Sequence, residues 1–413
     1  MKLLWISHFV PYPATGHGAL QRGHHLLREA AKRHEVHLVA LSPPAALLGP
    51  RDIERAVAEL SRFASSVAVF PLPTDRHATR RALSAMLACV HPASFWERWY
   101  RSPAMVEHLR RFARAVRVDL VHLDIVFMSR YLDAVPEAPV VLNHHNVESH
   151  LLWRRAAAER SPLARAFFAR EARKTTALEG TVVPRVARNI VVSDLDGDRL
   201  RALAPDARIT TVANGVDVEF FRPTHGADGD AHSMAFAGGM DWFPNRDAIA
   251  FFVAELWPAL VRDDPQRRMT VIGRNPPPAV LAAARDPRLR VLGFVDDVRP
   301  HIEAASIYIC PMRVGGGTRL KILDALAMSR AIVSTDLGVE GLGLTEGEHY
   351  LRAHTPPEFV GQVRRLAADP ALRHRLGEAG RALVVRRYAW PCIAESLEQA
   401  YAEARRTSSP AMS

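Results

Sequence analysis

A chain of 413 residues, 48% hydrophobic and 24% charged, is long enough for two or three domains and too apolar to be disordered. Its 23 Gly and 29 Pro exclude a collagen-like repeat, and three distant cysteines (Cys89, Cys310, Cys392) give neither a disulfide framework nor metal-ligand spacing. The net charge of +10 lies mostly in the first half: residues 1–222 hold 31 basic and 22 acidic side chains, residues 223–413 hold 23 and 22.

A basic first half suits an anionic lipid, a phosphorylated substrate or nucleic acid. With no run of five basic residues, no zinc-finger spacing and no aromatic-interleaved basic strand, no nucleic-acid partner is expected. The longest mainly apolar stretch, residues 249–261, is broken by Glu255 and is short of the ~20 residues that span a bilayer. The amino terminus shows no signal-peptide cleavage site, so the expectation is a cytoplasmic protein, peripheral at most on the inner face of the membrane.

Strand-like and helix-like segments alternate from the start, which predicts parallel sheets of the α/β class. Strands are predicted at residues 3–7, 35–41, 66–70, 120–123, 139–143, 189–192 and 210–213. Helices are predicted at 18–33, 51–63, 103–116, over a long region 148–178, and at 194–203 behind the capping residue Ser193. A polar, glycine-containing linker at 222–233 divides the chain. The alternation then restarts: strands at 234–237, 269–272, 290–292, 306–310 and 331–335, with helices at 245–261, 319–327, 356–367 and 371–384. This gives an N-terminal domain over 1–222, a C-terminal domain over 223–390, and a closing helix and polar tail over 391–413. Each domain reads as a doubly wound sheet, whose ligands sit beyond the carboxyl ends of the strands.

The most informative stretch runs from Pro311 to Ala327. A strand end leads through Gly315-Gly316-Gly317-Thr318 into a helix that begins Arg319-Leu320-Lys321. Glycines allow a ligand close to the backbone, and a helix start offers unpaired N–H groups and positive potential. Cations in that first turn oppose the helix dipole unless an anion occupies the site, so the pattern points to a diphosphate. Asp324 follows one and a half turns into the helix; pairing with Lys321 at i, i+3 is its alternative.

This stretch resembles the nucleotide-binding signature of family 4 glycosyltransferases, and the resemblance extends over most of the chain. It includes Asn143-His144-His145-Asn146-Val147-Glu148-Ser149, Val212-Ala213-Asn214-Gly215-Val216-Asp217, Phe236-Ala237-Gly238-Gly239-Met240-Asp241, Val271-Ile272-Gly273-Arg274, Gly293-Phe294-Val295-Asp296-Asp297 and the segment Ser334 to Leu342. The resemblance implies the GT-B fold, two facing Rossmann-like domains with a deep cleft between them. It also implies that Gly238, Gly239, Arg274, Gly315, Gly316, Gly317, Thr318, Leu320 and Asp324 contact the donor. The family's pair of glutamates falls on Gly316 and Asp324, a lost carboxylate and a shorter one; its arginine after the first glycine of the second domain is replaced by Gly239, with Arg246 the nearest cation. Arg319 and Lys321 are positioned to supply the missing charge.

In the first domain, Gly16 and Gly18 stand in a turn from strand to helix that resembles the family's first glycine loop, placed across the cleft from the donor phosphates. His145, just past a strand, matches the histidine that contacts the donor sugar, with His144 one residue out of register and a helix-capping role as the alternative. Trp242 and Phe243 are expected to pack inside. Asp194-Leu195-Asp196 opens a helix, where acids suit the dipole, so no metal is expected there.

The expected activity is a retaining, metal-independent hexosyl transfer from a nucleotide-diphosphate sugar to a glycan or lipid-linked acceptor, in cell-surface polysaccharide or glycolipid synthesis, with His145, Arg319 and Lys321 at the chemistry and no cofactor. An anionic membrane surface is a further expected partner. The alternatives are a sugar-nucleotide epimerase of the same architecture and a silent nucleotide-binding subunit.

Overall fold

The protein is described by a computed structural model over residues 1–13, 18–42, 50–72, 91–135, 137–224 and 230–408. It divides into two compact units: Met1–Ala213 together with Ile393–Ser413, and Asn214–Cys392.

The first unit is built on a seven-stranded sheet in the order β3-β2-β1-β4-β5-β6-β7. Its strands are β1 (Lys2–Ser7), β2 (Glu35–Ser42), β3 (Ser66–Pro71), β4 (Leu120–Asp124), β5 (Val140–Asn143), β6 (Arg188–Val191) and β7 (Ile209–Thr211). Every neighbouring pair is parallel. Leu3, Leu4, Trp5 and Ile6 have no exposed surface, as expected for a central strand covered on both faces. Hydrophobic alternation cannot set the register of such a strand, so polar pairs must contribute. Trp5 pairs with His122 of β4, their rings stack at 3.6 Å, and Trp5 Nε1 donates to Asp124 Oδ2 at 3.3 Å.

The second unit holds a six-stranded parallel sheet in the order β10-β9-β8-β11-β12-β13. Its strands are β8 (Asp230–Ala237), β9 (Arg268–Ile272), β10 (Leu289–Gly293), β11 (Ala305–Cys310), β12 (Ala331–Ser334) and β13 (Leu351–Arg352). The two residues of β13 are too few to carry a period, and the sequence gives no sign of them. In both sheets the strand order reverses once, between β1 and β4 and between β8 and β11, which opens a crevice at the carboxyl ends there.

Several boundaries differ from expectation for local reasons. The predicted 148–178 helix is two helices, Glu148–Ala158 and Pro162–Val182, because Ser161 caps the second and Pro162 cannot continue the first. The 245–261 helix contains a π turn at Phe252–Leu256, where Trp257 N–H reaches back to Phe252 O, one residue ahead of Pro258 with its missing donor. The units part at Ala213/Asn214 rather than at residue 222, because Asn214–Arg222 is tied to the second unit. Val216 N donates to Tyr388 O at 2.7 Å, and Gly215 lies against the Trp390 indole.

The closing helix, Trp390–Ser408, carries Ile393 onward into the first unit. Tyr401 Oη meets His122 Nδ1 at 2.9 Å, and Glu398 meets His34 Nε2 at 2.8 Å. Among the described residues, no helix is long and apolar enough to cross a membrane.

Candidate active site

In the second unit, the loop after β11 enters the helix Leu320–Ala327 beside the reversal point of the sheet. Arg319 occupies the N-cap position and no side chain caps the helix; Ile322 N donates to Arg319 O at 3.0 Å, so the amides available to a ligand are those of Leu320 and Lys321. Lys321 Nζ donates to Asn245 Oδ1 at 2.5 Å and lies 4.3 Å from the Phe236 ring centre. Asn245 Nδ2 donates in turn to Gly239 O at 2.8 Å. Gly238 must lack a side chain here: a Cβ would stand 2.4 Å from Lys321 Nζ and 2.9 Å from Asn245 Nδ2. Gly238, Gly239 and Lys321, 83 positions apart in the chain at their widest, therefore converge on one cradle.

Burial weakens both charges of the helix. It lowers the Lys321 ammonium to about 8 and raises the Asp324 carboxyl to about 8, the latter against the pull of Lys321. Asp324 Oδ1 is buried without a hydrogen-bond partner. An unpaired buried acceptor is costly, which suits a position completed by a ligand hydroxyl.

Arg319 is buried and turned inward. Its guanidinium donates to Gly317 O and lies 3.8 Å from Glu340 Oε2. Gly315 has φ +146, and a Cβ there would come within 2.9 Å of Arg319 Nη2. Thr318 Oγ1 accepts from Asn214 Nδ2 at 2.7 Å, Leu320 is buried, and Gly316 is half-buried at the loop crest. Arg274 O accepts from Met240 N at 2.9 Å, and its guanidinium lies 5.4 Å from the centre of the exposed Phe294 ring. Trp242 is 47% exposed at the start of its helix, so the packing expected of it does not occur. Beside the loop is a cavity of about 460 Å³ lined by Met312, Arg313, Thr335, Asp336, Glu340 and His354, among others.

In the first unit, Gly18 opens the helix Gly18–Ala31, while Gly16 is outside the described residues. The two adjacent histidines separate clearly. His144 is buried, contacts Asn189 Oδ1 at 3.0 Å and is lowered to about 4 by burial, which marks a neutral structural residue. His145 is half-buried, with Nε2 3.5 Å from Asp124 Oδ1. The helix after it is not capped by histidine: Glu179 of the next helix accepts from Glu148 N at 2.8 Å, from Ser149 N at 3.3 Å and from Ser149 Oγ.

Asp124 is the centre of a network that the sequence did not reveal. Asn143 Nδ2 donates to its Oδ1 at 2.6 Å, and Arg22, 1% exposed, donates to Asn143 Oδ1 at 3.0 and 3.3 Å. Arg22 Nη1 also reaches Ala213 O at 2.8 Å, and burial lowers the guanidinium to about 10. Burial alone would raise the Asp124 carboxyl, but the imidazoles of His122 and His145 hold it well below its ordinary value. The usable signal was that Asp124 and Asn143 both end strands, where functional groups gather. His8, Asp124 and His145 offer donor atoms within 4.8 Å of one another, a set of a kind that holds divalent ions. Asp194 and Asp196 instead serve their helix start, accepting from Thr211 Oγ1 and from Ser193 and Arg199.

The surface of this unit carries one further feature. Across residues 153–174 there are six arginines and a lysine against two glutamates, and Leu163 in the first turn of the second helix is 85% exposed, with Trp153 41% exposed.

Comparison with known proteins agrees with this arrangement. The model for Glycosyltransferase Family 4 matches residues 18–220, and that for Glycosyl transferases group 1 matches residues 231–369. The phosphatidyl-myo-inositol mannosyltransferase of Mycobacterium tuberculosis is 29% identical over 244 residues, 55% of this chain but only 63% of that protein. The D-inositol 3-phosphate glycosyltransferase of Streptomyces bingchenggensis is 25% identical, covering 65% of this chain and 67% of that one. Among solved structures, the sucrose-phosphate synthase of Thermosynechococcus elongatus superposes with a TM-score of 0.75 at 18% identity, over 99% of this chain and 100% of the other. Anabaena HepE, solved with UDP-glucose, gives 0.67 at 13% identity over 97% and 98%. With its two parallel sheets and a matched family model on each, the chain belongs to glycosyltransferase family 4 and has the GT-B fold.

Proposed function

We propose that the protein is a retaining, metal-independent hexosyltransferase that takes a sugar from a nucleotide-diphosphate donor and passes it to a glycan or lipid-linked acceptor. The observation that carries this is the uncapped start of the Leu320–Ala327 helix with the Lys321 ammonium beside it. As the bond from the sugar's anomeric carbon to the diphosphate oxygen breaks, negative charge grows on the departing phosphate. Lys321 and the helix-start amides stabilise that charge from fixed positions. Arg319 shapes the loop through Gly317 and Glu340 and adds its field.

Asp324 receives a ribose hydroxyl, which completes its unpartnered oxygen. Retention follows if the acceptor hydroxyl attacks from the face the diphosphate leaves, giving its proton to the departing phosphate oxygen. His145, oriented by Asp124, contacts the sugar and the incoming hydroxyl. Relatives named for phosphatidyl-myo-inositol and inositol phosphate support a polyol or lipid-linked acceptor, and HepE with UDP-glucose supports the donor class. The basic, apolar-tipped pair of helices over 153–174 suits docking on the anionic inner face of a membrane, with synthesis of a cell-surface polysaccharide or glycolipid as the setting.

Incubation with labelled UDP-, GDP- and ADP-sugars, with and without a lipid and glycan extract, tests the proposal. Label transferred to the extract supports it. Epimerised or free sugar without extract would make the protein an epimerase, and binding without turnover a silent subunit.

A further inference from the structure

Arg22 lies in the helix Gly18–Ala31, which follows β1, and is 1% exposed. A guanidinium taken this far out of water loses solvation, whereas an apolar side chain of similar volume would fill the space without that cost. Its hydrogen bonds are therefore what the position uses.

Those bonds have a direction. Nη1 donates to Ala213 O at 2.8 Å, while Nε and Nη2 donate to Asn143 Oδ1 at 3.3 and 3.0 Å. A guanidinium donates and never accepts, so it admits only the oxygen end of the Asn143 amide. The NH2 end is turned the other way, where it meets Asp124 Oδ1 at 2.6 Å and His145 Nε2 at 3.4 Å. The two ends of an amide have almost the same shape, so packing does not tell them apart. A reversed amide would set its oxygen against the Asp124 carboxylate and remove the donor that stands 2.6 Å from Oδ1.

We infer that Arg22 is a positioning residue for His145: by fixing which end of the Asn143 amide faces Asp124, it sets the direction of that carboxylate and of the imidazole 3.5 Å beyond it. Its effect passes through Asn143 and Asp124. The inference rests on the reading of His145 above.

The test uses the full chain with Arg22→Gln and Arg22→Lys. Glutamine offers both a donor and an acceptor and so holds the Asn143 amide either way round, whereas lysine, like arginine, only donates. In the transfer assay with labelled UDP-, GDP- and ADP-sugars, Arg22→Gln is expected to lose about tenfold or more in kcat with donor KM within about threefold. Arg22→Lys is expected to recover most of that loss. A second readout needs no substrate: NMR of isotope-labelled histidine, with the His145 signals identified as those absent from His145→Gln. One set of ring-nitrogen signals is expected in wild type and Arg22→Lys, and a doubled or broadened set in Arg22→Gln. An unchanged kcat or an unchanged His145 signal set in Arg22→Gln would overturn the inference. Equal losses in the two variants, the mark of a guanidinium that only packs, would overturn it too. Should Arg22→Gln fail to fold, Asn143→Asp keeps the acceptor for Arg22 and removes the amide donor to Asp124. The same losses are expected there, and wild-type kcat and His145 signals would count equally against the inference. The NMR arm decides it even where no label is transferred, an outcome that would end the transferase reading alone.

Discussion

Asp124 Oδ1 lies 3.5 Å from His145 Nε2, and the same oxygen is fixed by Asn143 Nδ2 at 2.6 Å. A buried carboxylate held this way selects the tautomer and direction of the imidazole it faces.

Asp124→Asn is therefore expected to lower kcat about 10- to 100-fold, the worth of a charge-assisted hydrogen bond of about 1.5–3 kcal/mol, with little change in donor KM. Steady-state kinetics with the pH–rate profile checks this. An unchanged kcat would show that Asp124 only supports the sheet.

Lys321→Ala is expected to weaken a nucleoside diphosphate about tenfold or more, and the parent nucleoside hardly at all. Gly238→Ala should act in the same direction, since its Cβ would displace Nζ. Because burial brings the ammonium to about 8, wild-type affinity for the diphosphate should fall as pH rises above 8, and binding near that pH should take up a proton. Titrations at pH 7 and 9.5 in buffers of different ionisation enthalpy read both.

EDTA is expected to leave turnover unchanged, and the product to keep the donor's anomeric configuration by NMR. Activity lost to chelator and restored by a divalent ion would instead assign metal to His8, Asp124 and His145.

Glu148 gives a pH signature in stability. Burial, followed by the Glu179 charge, raises its carboxyl to about 8. A raised folded value means that the folded chain holds a proton the unfolded chain has released. This stability is complete below the unfolded carboxyl value of about 4.3 and is lost as pH rises through about 8. Wild type should therefore lose more stability than Glu148→Gln between pH 5 and 8, by at most about 1.4 kcal/mol per pH unit. Parallel urea curves for the two proteins across that range would contradict it.

Liposomes test the 153–174 surface. Sedimentation with anionic vesicles should be strong at low salt and fall steeply as salt rises, since each basic residue near the surface contributes about 1 kcal/mol. Leu163→Asp should reduce it without changing nucleotide binding. No sedimentation at low salt would point to a soluble acceptor.

The sequence by itself determined the two parallel sheets, the glycine loop with Lys321 and Asp324 behind it, and His145 at the end of a strand. These features depend on periodicity and on spacings of a few residues, so they can be read along the chain. The break at Ser161-Pro162 was equally local, although the apolar pattern masked it. What only the tertiary structure decided are contacts between distant residues: Arg22 with Asn143, 121 positions apart, and Lys321 with Asn245, 76 apart. Parallel strand order brings such residues to the same edge, and no local pattern encodes that order. Burial then sets their charge: it leaves His144 neutral and His145 half-buried, and moves Lys321 and Asp324 toward the same value of about 8. A side chain's neighbours are assembled from both ends of the chain, so its ionisation is a property of the fold rather than of the residue.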